Sequence, residues 1–268
     1  MKIRVLPFFL ALFLVCQSVF PVSADTTTAG ISSAAADTSG TPPQDVSVYI
    51  SDATAATEGQ NWSGALLITT RGLAWYPDNA YLLSLQGYTY RKMGQYQRSV
   101  DVVSHAIMLE PNEIRFANRG YGYLALGNYS AALADADAGI SHNATYTANY
   151  AVKALALNGM GRNSEAISAI SEALRQVPGS AHYWHVKGIV LSAGGNCDEA
   201  SAALEKSLEI DPDYVLAYPG FGTASEKLVA LDLACNPAPA ATTPVKSPLG
   251  WITAAGVAIA VIAAGSKK

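Results

Sequence analysis

Cysteine is scarce in this chain: Cys16, Cys197 and Cys235 are the only three in 268 residues. That excludes a disulfide-stapled miniature fold and any cysteine-rich zinc module. Histidine is nearly as sparse, and charged residues make up only 14 % of the chain. His182 and His185 lie three apart and share one helix face, but a pair of imidazoles falls short of the three or four ligands a zinc site needs. His105 and His142 lie too far off in sequence to complete a ligand spacing, so no metal site is expected. A Gly-rich phosphate cradle, an HExxH helix and a GxSxG turn are all missing. Asp135/Asp137 and Asp198/Glu199 read as solvated helix faces or helix starts, where carboxylates complement free N–H groups. The expectation is therefore no catalytic residue, no cofactor and no enzyme. Basic residues are thin as well. Residues 25–248 hold all 21 acidic residues but only 13 Lys and Arg, with no basic block, which argues against a nucleic-acid partner.

What the chain does have is a period. Small residues recur at Gly87, Gly120, Ala154, Gly188 and Gly222, spaced 33, 34, 34 and 34 apart. Prolines 77, 111, 178 and 212 keep the same phase, with Ala144 standing in once. A second small site runs Ala65, Ser99, Ala132, Ala166 and Ala200, and inner turns fall at Gly94-Gln95, Gly127-Asn128, Gly161-Arg162 and Gly195-Asn196. The spacing is a packing device: small residues let two helix backbones approach, while Tyr90, Leu157 and Leu191 fill the space beside them. One helical hairpin cannot bury its own apolar stripe, so each must stack on the next.

Residues 181–214, with Trp184, Gly188, Leu191, Gly195, Ala200, Leu204 and Pro212 in order, resemble a tetratricopeptide repeat. Lys187 and Ser207 depart from that pattern. The resemblance implies an all-α, right-handed solenoid over 46–233: five helix-turn-helix repeats at 46–79, 80–112, 113–146, 147–180 and 181–214, then a capping helix over about 215–233. The first helix of repeat one is expected over roughly 46–58, with Trp62 opening the second. Tyr90, Tyr96, Tyr123 and Tyr129 are expected in the core.

The resemblance also assigns the concave wall to fixed positions of each first helix. Carried over, they give a partner-binding groove of Tyr81, Tyr88, Arg91, Lys92, Tyr121, Leu155, Asn158, His185 and Ile189. Its central stripe would be Tyr88, Tyr121, Leu155 and Ile189, either open to a partner or packed against neighbouring repeats or the final helix. The Lys, Arg and Asn clamp by which some family members hold acidic chain ends does not recur as a matched set, so the expected ligand is a mostly apolar, tyrosine-containing peptide or partner helix.

The ends carry their own signals. Residues 1–24 place Lys2 and Arg4 before an apolar run and end on Pro-Val-Ser-Ala, the layout of a secretory signal peptide. Residues 25–45, rich in Thr, Ser and Ala, are expected to be a disordered leader. Residues 234–248 form a Pro/Thr-rich stalk. Residues 249–265 are apolar except for Thr253, long enough at about 1.5 Å per residue to span or nearly span a bilayer, and 266–268 form a basic tail. This tail resembles archaeal and bacterial sorting signals and suits an exported, C-terminally anchored surface protein of archaeal type. In that setting Cys197 and Cys235 either pair or remain one buried and one free. Asn61, Asn128 and Asn143 head Asn-x-Ser/Thr glycosylation triplets. The function expected is a non-enzymatic scaffold at the cell membrane or surface, with extracellular repeats. The alternatives are a self-associating envelope component or an accessory domain of a surface enzyme complex.

Overall fold

A computed structural model describes residues 42–216 and 222–235. By contact density the chain divides after Pro43, and all elements below belong to the unit Gln44–Lys268. The expected signal peptide, membrane helix and basic tail, most of the expected leader and the expected stalk after Cys235 fall outside the described residues. Among the described residues, no helix is long and apolar enough to cross a membrane.

Ten helices form five consecutive hairpins: α1 (Val46–Glu58) with α2 (Trp62–Trp75), α3 (Ala80–Lys92) with α4 (Tyr96–Leu109), α5 (Glu113–Ala125) with α6 (Tyr129–His142), α7 (Ala148–Gly159) with α8 (Asn163–Gln176), and α9 (Ala181–Ala193) with α10 (Cys197–Ile210). The first helices of the last four hairpins stop the same way. Gly94, Gly127, Gly161 and Gly195 all adopt φ between +72° and +78°. In the second hairpin, Gln95 N–H donates back to Tyr90 and Gly94 N–H to Arg91, a Schellman closure that needs a residue tolerating left-handed φ. In repeat one, Gln60 takes that conformation at φ 55°.

Four helix starts are capped by asparagine side chains. Asn61, Asn79, Asn112 and Asn128 each accept a hydrogen bond from the backbone N–H three residues on. These caps satisfy donors that the helix itself leaves orphaned.

The small residues act where helices touch. A methyl group added at Gly120 would sit 2.8 Å from Val152 Cγ1, and at Gly188 it would meet Leu204. Ser99, fully buried opposite Gly87, donates its hydroxyl to the Gly87 carbonyl at 2.7 Å. The four remaining small sites of that series, Ala65, Ala132, Ala166 and Ala200, are likewise fully buried. One continuous core runs from Tyr121 to Val190, and a second lies between α9, α10 and the last helix. Tyr123 and Tyr129 pack on the first core only half-buried.

Three expectations need correction. The last helix is not continuous from 215. Val215–Leu216 (β1) pairs antiparallel with Gly222–Thr223 (β2), and only then does α11 run, from Ala224 to Cys235. Gly222 is therefore a strand residue with φ +63°, and its agreement with the 34-residue phase is coincidental. The helix start is set instead by a reciprocal cap: Thr223 Oγ1 accepts from Glu226 N–H, and Glu226 accepts from Thr223 N–H. Asp135 is not solvated either. It is 4 % exposed and holds Arg119 through two hydrogen bonds of 2.8 and 2.6 Å, with Arg119 also donating to Ser104 at 3.1 Å. Helix period turns Asp135 toward α5, so the pair ties three helices from two repeats. Burial pushes the Asp135 carboxyl up, against the pull of Arg119. The third correction concerns the groove.

Candidate partner-binding groove

The first helices α1, α3, α5, α7 and α9 contact one another in sequence, whereas the second helices do so far less. The wall they form is the side on which the repeats crowd together. Side chains at its spaced positions come from different repeats, which is why residues about thirty apart in sequence meet there.

At the amino-terminal half the wall opens into a cavity of about 400 Å³. Helix α3 contributes Tyr81, Ser84, Tyr88 and Arg91; α5 contributes Ile114, Ala117, Asn118 and Tyr121. Tyr81 is 50 % and Ile114 46 % exposed, so the mouth is apolar and solvent-facing. Deeper in, the Arg91 guanidinium lies 5.0 Å from the Tyr88 ring centroid and 5.3 Å from that of Tyr121. Its Nη2 donates to Asn118 Oδ1 at 3.2 Å. Trp62 meets Tyr88 edge-on at 6.0 Å, and the Lys92 ammonium lies 5.8 and 5.6 Å from their respective ring centroids. Burial, then the neighbouring Arg91 charge, holds the Lys92 ammonium below its usual range. Of the expected groove residues, Tyr81, Tyr88, Arg91 and Tyr121 line the cavity, and the exposed Lys92 reaches Tyr88 beside it.

Sequence reasoning missed part of the rim. Thr54, Thr57 and Glu58 of α1 and Tyr146 from the α6–α7 connection also line the cavity. Burial pushes the Tyr146 phenol up. Tyr146 lies in a connection rather than at a wall position of a first helix, so the register did not flag it.

The carboxyl-terminal half is different. Leu155, His185 and Ile189 are 1 %, 0 % and 9 % exposed, so beyond Tyr121, itself buried but lining the cavity, the stripe takes the packed alternative. Leu155 and Ile189 belong to the core. Asn158 is half-buried. His185 lies edge-on to the Tyr214 ring, with centroids 6.0 Å apart, and neither ring nitrogen has a hydrogen-bond partner among the described residues. Tyr214, just past the fifth hairpin, closes this half. Its hydroxyl lies 2.7 Å from His182 Nδ1, and His182 Nε2 lies 2.9 Å from the Tyr121 hydroxyl. A neutral imidazole suits this chain, donating from one nitrogen and accepting at the other. Burial, helped by nearby His185, Arg91 and Lys92, depresses His182 to about 4; burial and Lys227 do the same to His185.

The remaining candidates lie elsewhere. Cys197 and Cys235 are disulfide-bonded, tying the start of α10 to the end of α11. Asn61 and Asn128 are exposed helix caps. Asn143 is half-buried, with its Nδ2 donating to Glu113 at 3.3 Å. Among the described residues, no group of three or more His, Cys, Asp or Glu side chains is placed to hold a metal.

The tetratricopeptide-repeat family model matches residues 80–113 and 181–214, the second and fifth hairpins. Those two hairpins thus match the tetratricopeptide repeat, and solved structures share the chain's architecture. TTC0263, a thermophilic TPR protein of Thermus thermophilus, is 17 % identical with a TM-score of 0.58, over 71 % of this chain and 98 % of that one. MamA residues 41-end from Desulfovibrio magneticus RS-1 is 19 % identical at TM-score 0.53, over 64 % and 98 %. Another MamA structure is 21 % identical at 0.50, over 62 % and 92 %. At such identities the likeness shows the fold alone: an all-α solenoid of five helical hairpins with a capping helix. No curated protein matches the chain.

Proposed function

We propose that this protein is a non-catalytic scaffold that holds a protein or peptide partner in the open amino-terminal half of its groove. The supporting observation is the 400 Å³ cavity with an apolar, exposed mouth at Tyr81 and Ile114 and a cation set between rings at its base. Its volume falls at the lower end of the ~300–1,000 Å³ usual for ligand pockets. Buried aromatic and Arg anchors carry much of the energy of protein interfaces. The rigid stack around it supplies preorganisation, which reduces the entropic cost of association.

Export, a membrane-tethered tail and display of the groove outside the cell remain part of this reading, on the strength of residues 1–24 and 249–268 and of the cysteine pair. Glycosylation at Asn61 and Asn128 fits it, since both side chains face solvent. The test is crosslinking on intact cells followed by identification of captured proteins. Replacing Tyr81 and Tyr88 together by alanine should cut capture more than about tenfold; undiminished capture would refute the site.

A second reading, self-association, is favoured by one observation. Helix α11 leaves Val229 and Leu233, four apart, 63 % and 71 % exposed. Concentration-dependent mass that disappears on Leu233→Glu would support it.

A further inference from the structure

Tyr214 shows what kind of side chain this wall receives. It lies outside the helices of the repeats, yet its hydroxyl meets His182, its ring packs against His182 and His185, and His182 passes the contact on to Tyr121. One half of the groove is therefore occupied by a tyrosine of the chain itself, held by aromatic rings around its body and by a ring nitrogen at its tip. The open half begins on the other side of Tyr121. There, the Tyr88 and Tyr121 rings lie 5.0 and 5.3 Å from the Arg91 guanidinium, with Tyr81 at the mouth and Asn118 Oδ1 accepting from Arg91.

We propose that the open pocket is a socket for a second aromatic side chain, tyrosine above all, presented by an extended segment of a partner protein. This deepens the scaffold reading and rests on it. The choice of an aromatic follows from the walls. A ring entering here gains edge-to-face contact with Tyr88 and Tyr121, whose rings already engage the Arg91 guanidinium. An aliphatic side chain gains only the burial of area. A carboxylate would have to shed water among the rings of Tyr81, Tyr88, Tyr121 and Tyr146, facing Glu58 on the rim and an Arg91 already engaged by Asn118 and two rings. A phenol, unlike a phenyl group, also carries a hydroxyl that can donate to the Asn118 amide oxygen or accept from its nitrogen. Tyr121 lines the open pocket and its hydroxyl meets His182, which holds Tyr214, so a partner tyrosine would extend an aromatic row that the chain already begins.

The test is an immobilised library of random ten-residue peptides probed with the full-length protein and with its Tyr81→Ala and Tyr88→Ala variants, whose helix content is checked by circular dichroism. Captured peptides should share a tyrosine at one position. Changing that tyrosine to leucine should weaken binding about tenfold, and to phenylalanine by a smaller factor. The two variants should lose the preference. If captured peptides instead share an acidic or aliphatic residue and Tyr88→Ala still abolishes binding, the aromatic socket is refuted while the groove reading stands. Capture that survives both substitutions refutes the socket and the groove together. No capture above background by the parent protein overturns the socket as well.

Discussion

Removing the carboxylate of Asp135 should be among the costliest single changes in the repeats. Asp135 is 4 % exposed and its partner Arg119 has 19 % of its side chain exposed. Asp135→Ala deletes two short charge-assisted hydrogen bonds and strands a guanidinium that also lies over Tyr123 at 5.7 Å. Breaking a buried ion pair from one side costs ~3–5 kcal/mol. The residual exposure of Arg119 lets water reach it, which sets the expectation near the lower end, about 3 kcal/mol. Replacing both partners with apolar groups, Arg119→Met with Asp135→Leu, should cost far less, within about 1 kcal/mol of the parent, because no charge is left behind. Urea unfolding followed by helical circular dichroism reads both. At a slope of ~1–3 kcal/mol per molar, the single change should move the midpoint by about 1 M or more. A single variant shifted by less than about 1 kcal/mol, or a double variant as unstable as the single, would refute the assignment of this pair as a buried clamp.

Other perturbations separate the remaining parts of the structure. His182 and His185 are held neutral, with folded values of about 4 against an ordinary 6.5. Their stabilisation is present above pH 6.5 and is lost as pH falls from 6.5 toward 4, at about 1.4 kcal/mol per pKa unit. His182→Gln should flatten that slope in urea midpoints taken at about pH 7, 5 and 4. Gly161→Ala meets nothing within 4 Å and should cost about 1 kcal/mol for its left-handed φ alone, whereas Gly120→Ala, pressed on Val152, should cost more in the same denaturation assay. Helix α11 buries only Ala224 and Leu231, so Cys197→Ala should raise hydrogen exchange over 224–235 while leaving 80–176 unchanged. The 38-residue separation corresponds to about 4 kcal/mol of chain entropy.

The hairpin stack was legible because it rests on residues with one steric reason each: small residues where backbones touch, glycines where φ is positive, prolines where helices end. The pocket was half legible for the same reason. Tyr81, Tyr88, Arg91 and Tyr121 hold repeat positions, and the register placed them on one wall. The closure of the other half was not legible, because Tyr214 lies outside the helices of the repeats and its contact with His182 spans 32 residues. Leu155 and Ile189 hold the same register as Tyr88, but the register says where a side chain lies and not what lies over it. Gly222 misled through phase, while the Thr223–Glu226 capping signal beside it marked the true helix start. Asp135 misled because a carboxylate in an alanine-rich helix looks solvated until its partner on α5 is known.

Partner binding in the amino-terminal half of the groove can be tested at its mouth. A photo-crosslinking side chain placed at position 81, at the cavity mouth, and separately at position 108 on α4, where Met108 is 77 % exposed, tests this directly in intact cells. A discrete crosslinked partner should come from position 81, lost when Tyr88 becomes alanine, and none from position 108. Equal capture from both positions, or capture from position 81 that ignores Tyr88, would contradict binding there.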